Sequence, residues 1–213
     1  MKIVKEIIFW VILLFVFSGN TIAKSNFVTI DLPESVSVDL PKNWVLISNN
    51  KRITLDTATE STFDINKLSD INSRFPFAAN YYEDGITSGI INVRYYPDIE
   101  FSQNDARQAS PADISELDNV IHNNIIISMD KTGATLTSWE GTEKRTINGI
   151  TTFITEYHRT SIKGSGTFRV RLVRVIAGER SFTLTISYLE SKELLLENIT
   201  DRIISSIKMN GHK

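Results

Sequence analysis

The stretch FRVRLVRVIAGERSFTLTISY, residues 168–188, decides the fold. It holds two runs rich in β-branched and aromatic residues, Phe168–Ala177 and Phe182–Tyr188, joined through Gly178. Such runs on either side of a glycine read as neighbouring antiparallel strands. In the second run Phe182, Leu184, Ile186 and Tyr188 share one face, and Ser181, Thr183, Thr185 and Ser187 share the other. Two registers compete. A turn holding Gly178, Glu179 and Arg180 sets Ile176 opposite Phe182 and Leu172 opposite Ile186; a two-residue turn sets Arg171 against Ile186. A slip of one residue exchanges the faces, and the looser turn is the expected one.

Upstream, Ile150–Arg159 fits beside this pair with Tyr157 opposite Val170 and Glu156 opposite Arg171. Asn148-Gly149 before it is the strongest short hairpin signal, which makes Lys144–Ile147 and Leu136–Trp139 strand too. Gly164-Ser165-Gly166 makes a further reversal. Ile90–Tyr96 is a strand stopped by Pro97, Val36–Leu40 a strand broken by Pro41, and Phe27–Leu32 and Arg52–Thr57 are shorter ones. Residues 58–85 read as a long polar loop carrying Phe75, Phe77, Tyr81 and Tyr82.

Two segments switch to helical period. Ser110 caps, Pro111 suits the first helical position, Asp113 stands where a capping-box acid sits, and Ile114, Leu117, Ile121 and Ile125 form a stripe. That helix runs to about Asp130, with Gly133 beyond its end. A last helix begins near Ser191, with Leu195, Ile199, Ile203 and Ile207 on one side. The fold class is therefore α+β: an antiparallel sheet flanked by two main helices.

The first 23 residues are a separate unit. Lys2 and Lys5 precede an apolar run from Ile7 to Phe17, and Thr21-Ile22-Ala23 supplies small residues before a cut between Ala23 and Lys24. That is the layout of a secretory signal peptide. The run is well short of the ~20 residues that cross a bilayer, though a retained anchor is the competing reading. Cleavage leaves residues 24–213 as one α+β domain, destined for the periplasm or the exterior. The chain has no cysteine, which excludes a thiol nucleophile and a lipidated cysteine, and means the core must suffice without disulfides. The net charge of −2 becomes slightly more negative once the leader goes, so nucleic acid is a disfavoured partner.

Leu40-Pro41-Lys42-Asn43-Trp44 resembles the strand exit of the Mog1/PsbP-like superfamily. The half from Asn148-Gly149 through Arg169–Arg174, Ala177-Gly178, Phe182–Tyr188 and Ile203–Ile207 is similar to the same group, whose bacterial members include DcrB-like exported proteins. The resemblance implies a helix-flanked antiparallel sheet used for binding and accessory work. It carries no shared catalytic residues, and fold likeness is a weak guide to function.

Chemistry-bearing patterns are sparse. His122, His158 and His212 have no metal-ligand spacing, no Gly-x-Ser-x-Gly elbow occurs, and Asp113/Glu116 and Glu190/Glu193 sit at helix starts where negative charge favours the dipole. No cofactor is expected, and the chain reads as non-enzymatic. Two binding candidates stand out. Arg169, Arg171 and Arg174, with Arg159 before the loop, are guanidinium groups able to grip a carboxylate, a phosphate or an acidic partner; cross-strand ion pairing is the plainer account. Arg174 is odd because it shares parity with Phe168, Val170, Leu172 and Ile176, so it must be paired or mark a cleft. Trp44, Phe75, Phe77, Tyr81 and Tyr82 either line a pocket under the 58–85 loop or form satellite core. The expectation is an exported accessory protein working by contact with an envelope or secreted protein; a small-ligand carrier with an aromatic pocket is the alternative.

Overall fold

The computed structural model describes residues 26–32, 35–47, 77–96, 101–162, 166–177 and 180–209. The leader with its Ala23–Lys24 cut, the Arg52–Thr57 run, Phe75 and His212 lie outside them.

A seven-stranded antiparallel sheet forms the centre. Its strands are β3 (Val45–Leu46), β4 (Phe77–Glu83), β5 (Ile86–Tyr96), β6 (Leu136–Ile147), β7 (Ile150–Thr160), β8 (Thr167–Ala177) and β9 (Arg180–Leu189), in the order β3-β4-β5-β9-β8-β7-β6. A small sheet of β1 (Phe27–Asp31), β2 (Val36–Pro41) and β10 (Lys208–Met209) lies apart, with β2 central. Helices α1 (Gln103–Gln108) and α2 (Pro111–Thr132) fall between β5 and β6, and α3 (Glu193–Ser205) follows β9 through a short 3-10 turn at Glu190–Lys192.

Asn148 and Gly149 both take positive φ, 47° and 81°, as the two-residue hairpin between β6 and β7 requires. Ser110 and Asp113 form the capping box of α2, and Gly133 closes it in the left-handed region. The β7–β8 register sets Glu156 opposite Arg171 and Tyr157 opposite Val170, as the sequence indicates.

Four expectations are corrected. The β8–β9 register is the one the sequence reading set aside: Ala177 pairs with Arg180, Val175 with Phe182 and Arg171 with Ile186, while Gly178 and Glu179 between them lie outside the described residues. The reason is that the sheet is covered on both faces. Val173, Val175 and Ala177 are as buried as Val170 and Ile176 on the opposite face, so hydrophobicity alone could not choose between registers. Residues 77–83 of the supposed 58–85 loop are strand, paired with β3 and β5. Leu136–Ile147 is one strand with two irregularities rather than two separate runs. Of the face read for the last helix, Ile203 and Ile207 are buried and Ile199 packs against the core, but Leu195 is half exposed, and Leu196, Thr200 and Ile204 complete the buried side of α3 instead.

One face of the large sheet, carrying Ile91, Val93, Ile154, Val173, Val175, Phe182, Leu184 and Ile186, packs against α3 and the small sheet through Ile203, Ile204, Ile207, Val36, Val38 and Leu40. The other face, with Tyr157, Phe168, Val170 and Leu172, receives Ile125 and Met129 of α2.

Candidate functional site

The three strand arginines part company by parity. Arg169 and Arg171 point to the α3 side of the sheet, and Arg174 points to the α2 side. Glu193, Glu197 and Asp201, spaced four apart along α3, make an acidic stripe over the first two. Arg169 donates to Glu156, to Glu193 at 2.7 Å and to Glu197 at 2.8 Å; Arg171 donates to Glu156 Oε2 at 2.9 Å and to Asp201. Burial works against the Arg169 charge, but Glu156, Tyr188 and Glu197 outweigh it and hold the guanidinium above its ordinary value. These two arginines fasten α3 to the sheet. The four-residue spacing of the acids was the sequence signal for this clasp.

Arg159 lies 5.2 Å from the Phe168 ring centre and donates to the Thr160 carbonyl at 3.0 Å. Burial pulls its guanidinium below the ordinary value and pushes the neighbouring Tyr157 phenol up to about 12. Among the described side chains, Trp44, Tyr81 and Tyr82 do not converge on one pocket. Trp44 is buried in the core beside the half-buried Tyr81, their ring centres 6.2 Å apart, whereas Tyr82 follows a bulge in β4 and is exposed. Phe77 begins β4 opposite Val93. His158 pairs with Glu190, and the His122 ring lies tilted against Trp139, the ring centres 4.6 Å apart. Among the described residues no cluster of His, Asp or Glu could hold a metal ion.

A polar hollow of about 520 Å³ lies beside the clasp, lined by Glu156, His158 and Arg169, whereas a concavity with mainly apolar walls lies between α1–α2 and the sheet. The row Ser181, Thr183, Thr185 and Ser187 of β9 is small and polar, and it faces the α2 side. It offers no apolar floor for a helix, so α2 buries its C-terminal half through Ile125 and Met129 over β7 and β8. Its N-terminal stripe of Ile114, Leu117 and Ile121 is only half buried. The gap left is an open groove of about 600 Å³, walled by Phe101, Leu117, Phe153, Ile176 and Arg174, and it continues across Asn92, Tyr96 and Thr183.

Helix α1, which the sequence reading missed, forms one wall. Its signal was present: Ser102 and Asp105 make a capping box like that of Ser110 and Asp113. Gln103 fixes it to the strand ends, donating to the carbonyls of Thr151 at 2.8 Å and Ile176 at 2.9 Å and accepting from the Thr151 N–H at 2.9 Å. Lys144 on β6 donates to the Ala109 carbonyl at 2.6 Å and ties down the far end. The groove therefore has anchored walls.

No protein-family model matches the sequence, and a search of curated proteins finds no match. Solved structures are similar at the level of fold. The solution structure of cyanobacterial PsbP from Synechocystis sp. PCC 6803 shares 11% identity over 91% of this chain and 98% of its own, with a TM-score of 0.56. The Ran-binding protein Mog1p of Saccharomyces cerevisiae gives 11% identity over 86% of this chain and 95% of that one, TM-score 0.45. LpqN, involved in cell envelope biogenesis of Mycobacterium tuberculosis, gives 12% identity over 87% and 91%, TM-score 0.45. The described residues adopt the Mog1/PsbP-like α+β fold. Among them no helix is long and apolar enough to cross a membrane.

Proposed function

We propose that the chain is an exported, non-enzymatic accessory protein of a bacterial envelope, of the DcrB-like kind, that acts by contact with another protein. Export rests on the leader and its Ala23–Lys24 cut. The contact reading is carried by one end of the molecule. Lys192 pairs with Glu83 at 2.8 Å and draws the start of α3 to the β4–β5 hairpin, where Ile86 lies opposite Glu83. Leu194 is 97% exposed and Ile86 62% exposed there, with Leu195 beside them. Large apolar side chains held on a rigid, ion-paired end suit a partner surface.

A photo-crosslinking side chain at Leu194 is expected to trap a discrete envelope protein, while the same group at exposed Asn119 on α2 traps none. Equal trapping from both positions, or from neither, counts against the reading.

A second reading is a small-ligand carrier, and the groove under α2 favours it. Its volume of about 600 Å³ lies in the range of small-molecule sites, and its walls are mainly apolar with a few polar groups. The site differs from the one expected under residues 58–85.

A further inference from the structure

We infer that the groove between α2 and the sheet binds a free single-chain amphiphile whose oxyanion head, a carboxylate or a phosphate, is held at Arg174. The inference rests on the ligand-carrier reading and deepens it by naming the chemistry.

The first observation is the state of Arg174. It projects into the groove half buried, and among the described residues it has no carboxylate or hydrogen-bond partner; its one described contact is the Tyr96 ring, 5.9 Å away. Arg169 and Arg171 on the same strand are gripped by carboxylates. A guanidinium drawn partly out of water without a counter-charge is unfavourable, and an arriving oxyanion offers it a bidentate, charge-assisted pair. The carboxylates that line the groove are committed elsewhere. Asp105 accepts from the Ser102 N–H at 2.8 Å, and Asp113 from the Ser110 N–H at 2.7 Å.

The second observation is the row in which Arg174 stands. Thr183 lies opposite it on β9, and Arg94 lies opposite Thr183 on β5, so two guanidiniums flank a hydroxyl on one line across the sheet. Among the described residues the Thr183 hydroxyl and the Asn92 Oδ1 in the groove are buried without a hydrogen-bond partner. Unmet polar groups on the floor of a cleft are sites a ligand or water satisfies. On the other side of Arg174 the row continues into Phe153, and Leu117, Ile176 and Phe101 extend the apolar wall. Cationic and hydroxyl groups at one end, with aromatic and aliphatic groups at the other, match the charged head and the apolar tail of an amphiphile.

The test uses the purified full chain titrated with dodecanoate, dodecyl phosphate and the neutral dodecanol, by calorimetry. Both anions are expected to bind one per chain. Arg174→Gln is expected to weaken them about tenfold or more while leaving dodecanol unchanged. Gln108→Trp, at an exposed position on the rim, is expected to block all three with no loss of thermal stability. Dodecanol binding as tightly as the anions, with Arg174→Gln changing neither, overturns the proposed chemistry and leaves the carrier reading standing. No binding of any probe, or binding untouched by Gln108→Trp, overturns both. Sedimentation with phosphatidylglycerol vesicles but no uptake of free dodecyl phosphate also overturns the inference, because the anion is then read at a membrane surface.

Discussion

Glu156 and Arg171 face each other across β7 and β8, and the carboxylate accepts from the Arg171 Nε at 2.9 Å while also receiving Arg169. One acid thus serves two guanidiniums, and those two hold the acidic stripe of α3. Removing Glu156 leaves Arg171, whose side chain is only 9% exposed, short of its less exposed carboxylate partner, Asp201 being the more exposed. Glu156→Ala is expected to cost about 3 kcal/mol in chemical denaturation. Asp201→Ala, at a half-exposed position, is expected to cost about 1 kcal/mol or less. Equal costs would refute the ranking.

The Asn148-Gly149 turn does two separable jobs. Its backbone needs positive φ at both residues, and the Asn148 amide donates to the carbonyls of Ser205 at 2.9 Å and Ile207 at 2.8 Å, tethering the end of α3. Asn148→Gly keeps the conformation and loses the tether, with an expected cost of about 1–2 kcal/mol. Gly149→Ala keeps the tether and strains the turn, with an expected cost of about 1 kcal/mol. Faster amide exchange across α3 should accompany the first variant only.

Gly89 is fixed by a close approach rather than by its dihedrals. A Cβ there would lie 3.2 Å from the Trp44 ring and 3.3 Å from the Tyr81 Cβ, both packed in the core. Gly89→Ala is expected to destabilise by about 1–3 kcal/mol and to alter the fluorescence of Trp44. Trp44→Phe in the same chain should recover part of that loss.

Tyr157 makes stability depend on alkaline pH. Burial raises its phenol to about 12 against an ordinary 10.0, with Arg159 pulling the other way. A raised value in the folded state means the native protein holds this proton longer than the unfolded chain. Its contribution is complete below pH about 10 and is lost as pH climbs through about 12. Denaturation followed over that window should show a decline that Tyr157→Phe reduces, and phenolate absorbance should show one tyrosine titrating late.

The sequence disclosed what depends on local chemistry. Asn148-Gly149, the Ser110–Asp113 box and the alternation in β7 to β9 each appear in the structure at the expected residues. The β8–β9 register was not legible, because Val173 and Val175 on one face and Val170 and Ile176 on the other are equally apolar when layers cover both sides. Helix α1 is six residues long, too short to show a period, and only its capping box announces it. Of the site, the parity of Arg174 marked the cleft, but the groove arises from how α2 seats on Tyr157 and Phe168 and leaves the β9 threonines less covered. That is tertiary geometry, which spacing along a chain does not carry.

The most direct measurement is a crystal structure of the chain grown with dodecyl phosphate. The account predicts phosphate oxygens on the Arg174 guanidinium within reach of Thr183, with the alkyl chain against Phe153 and Ile176. A groove filled by the protein's own side chains, with Arg174 paired to an internal carboxylate, would contradict it.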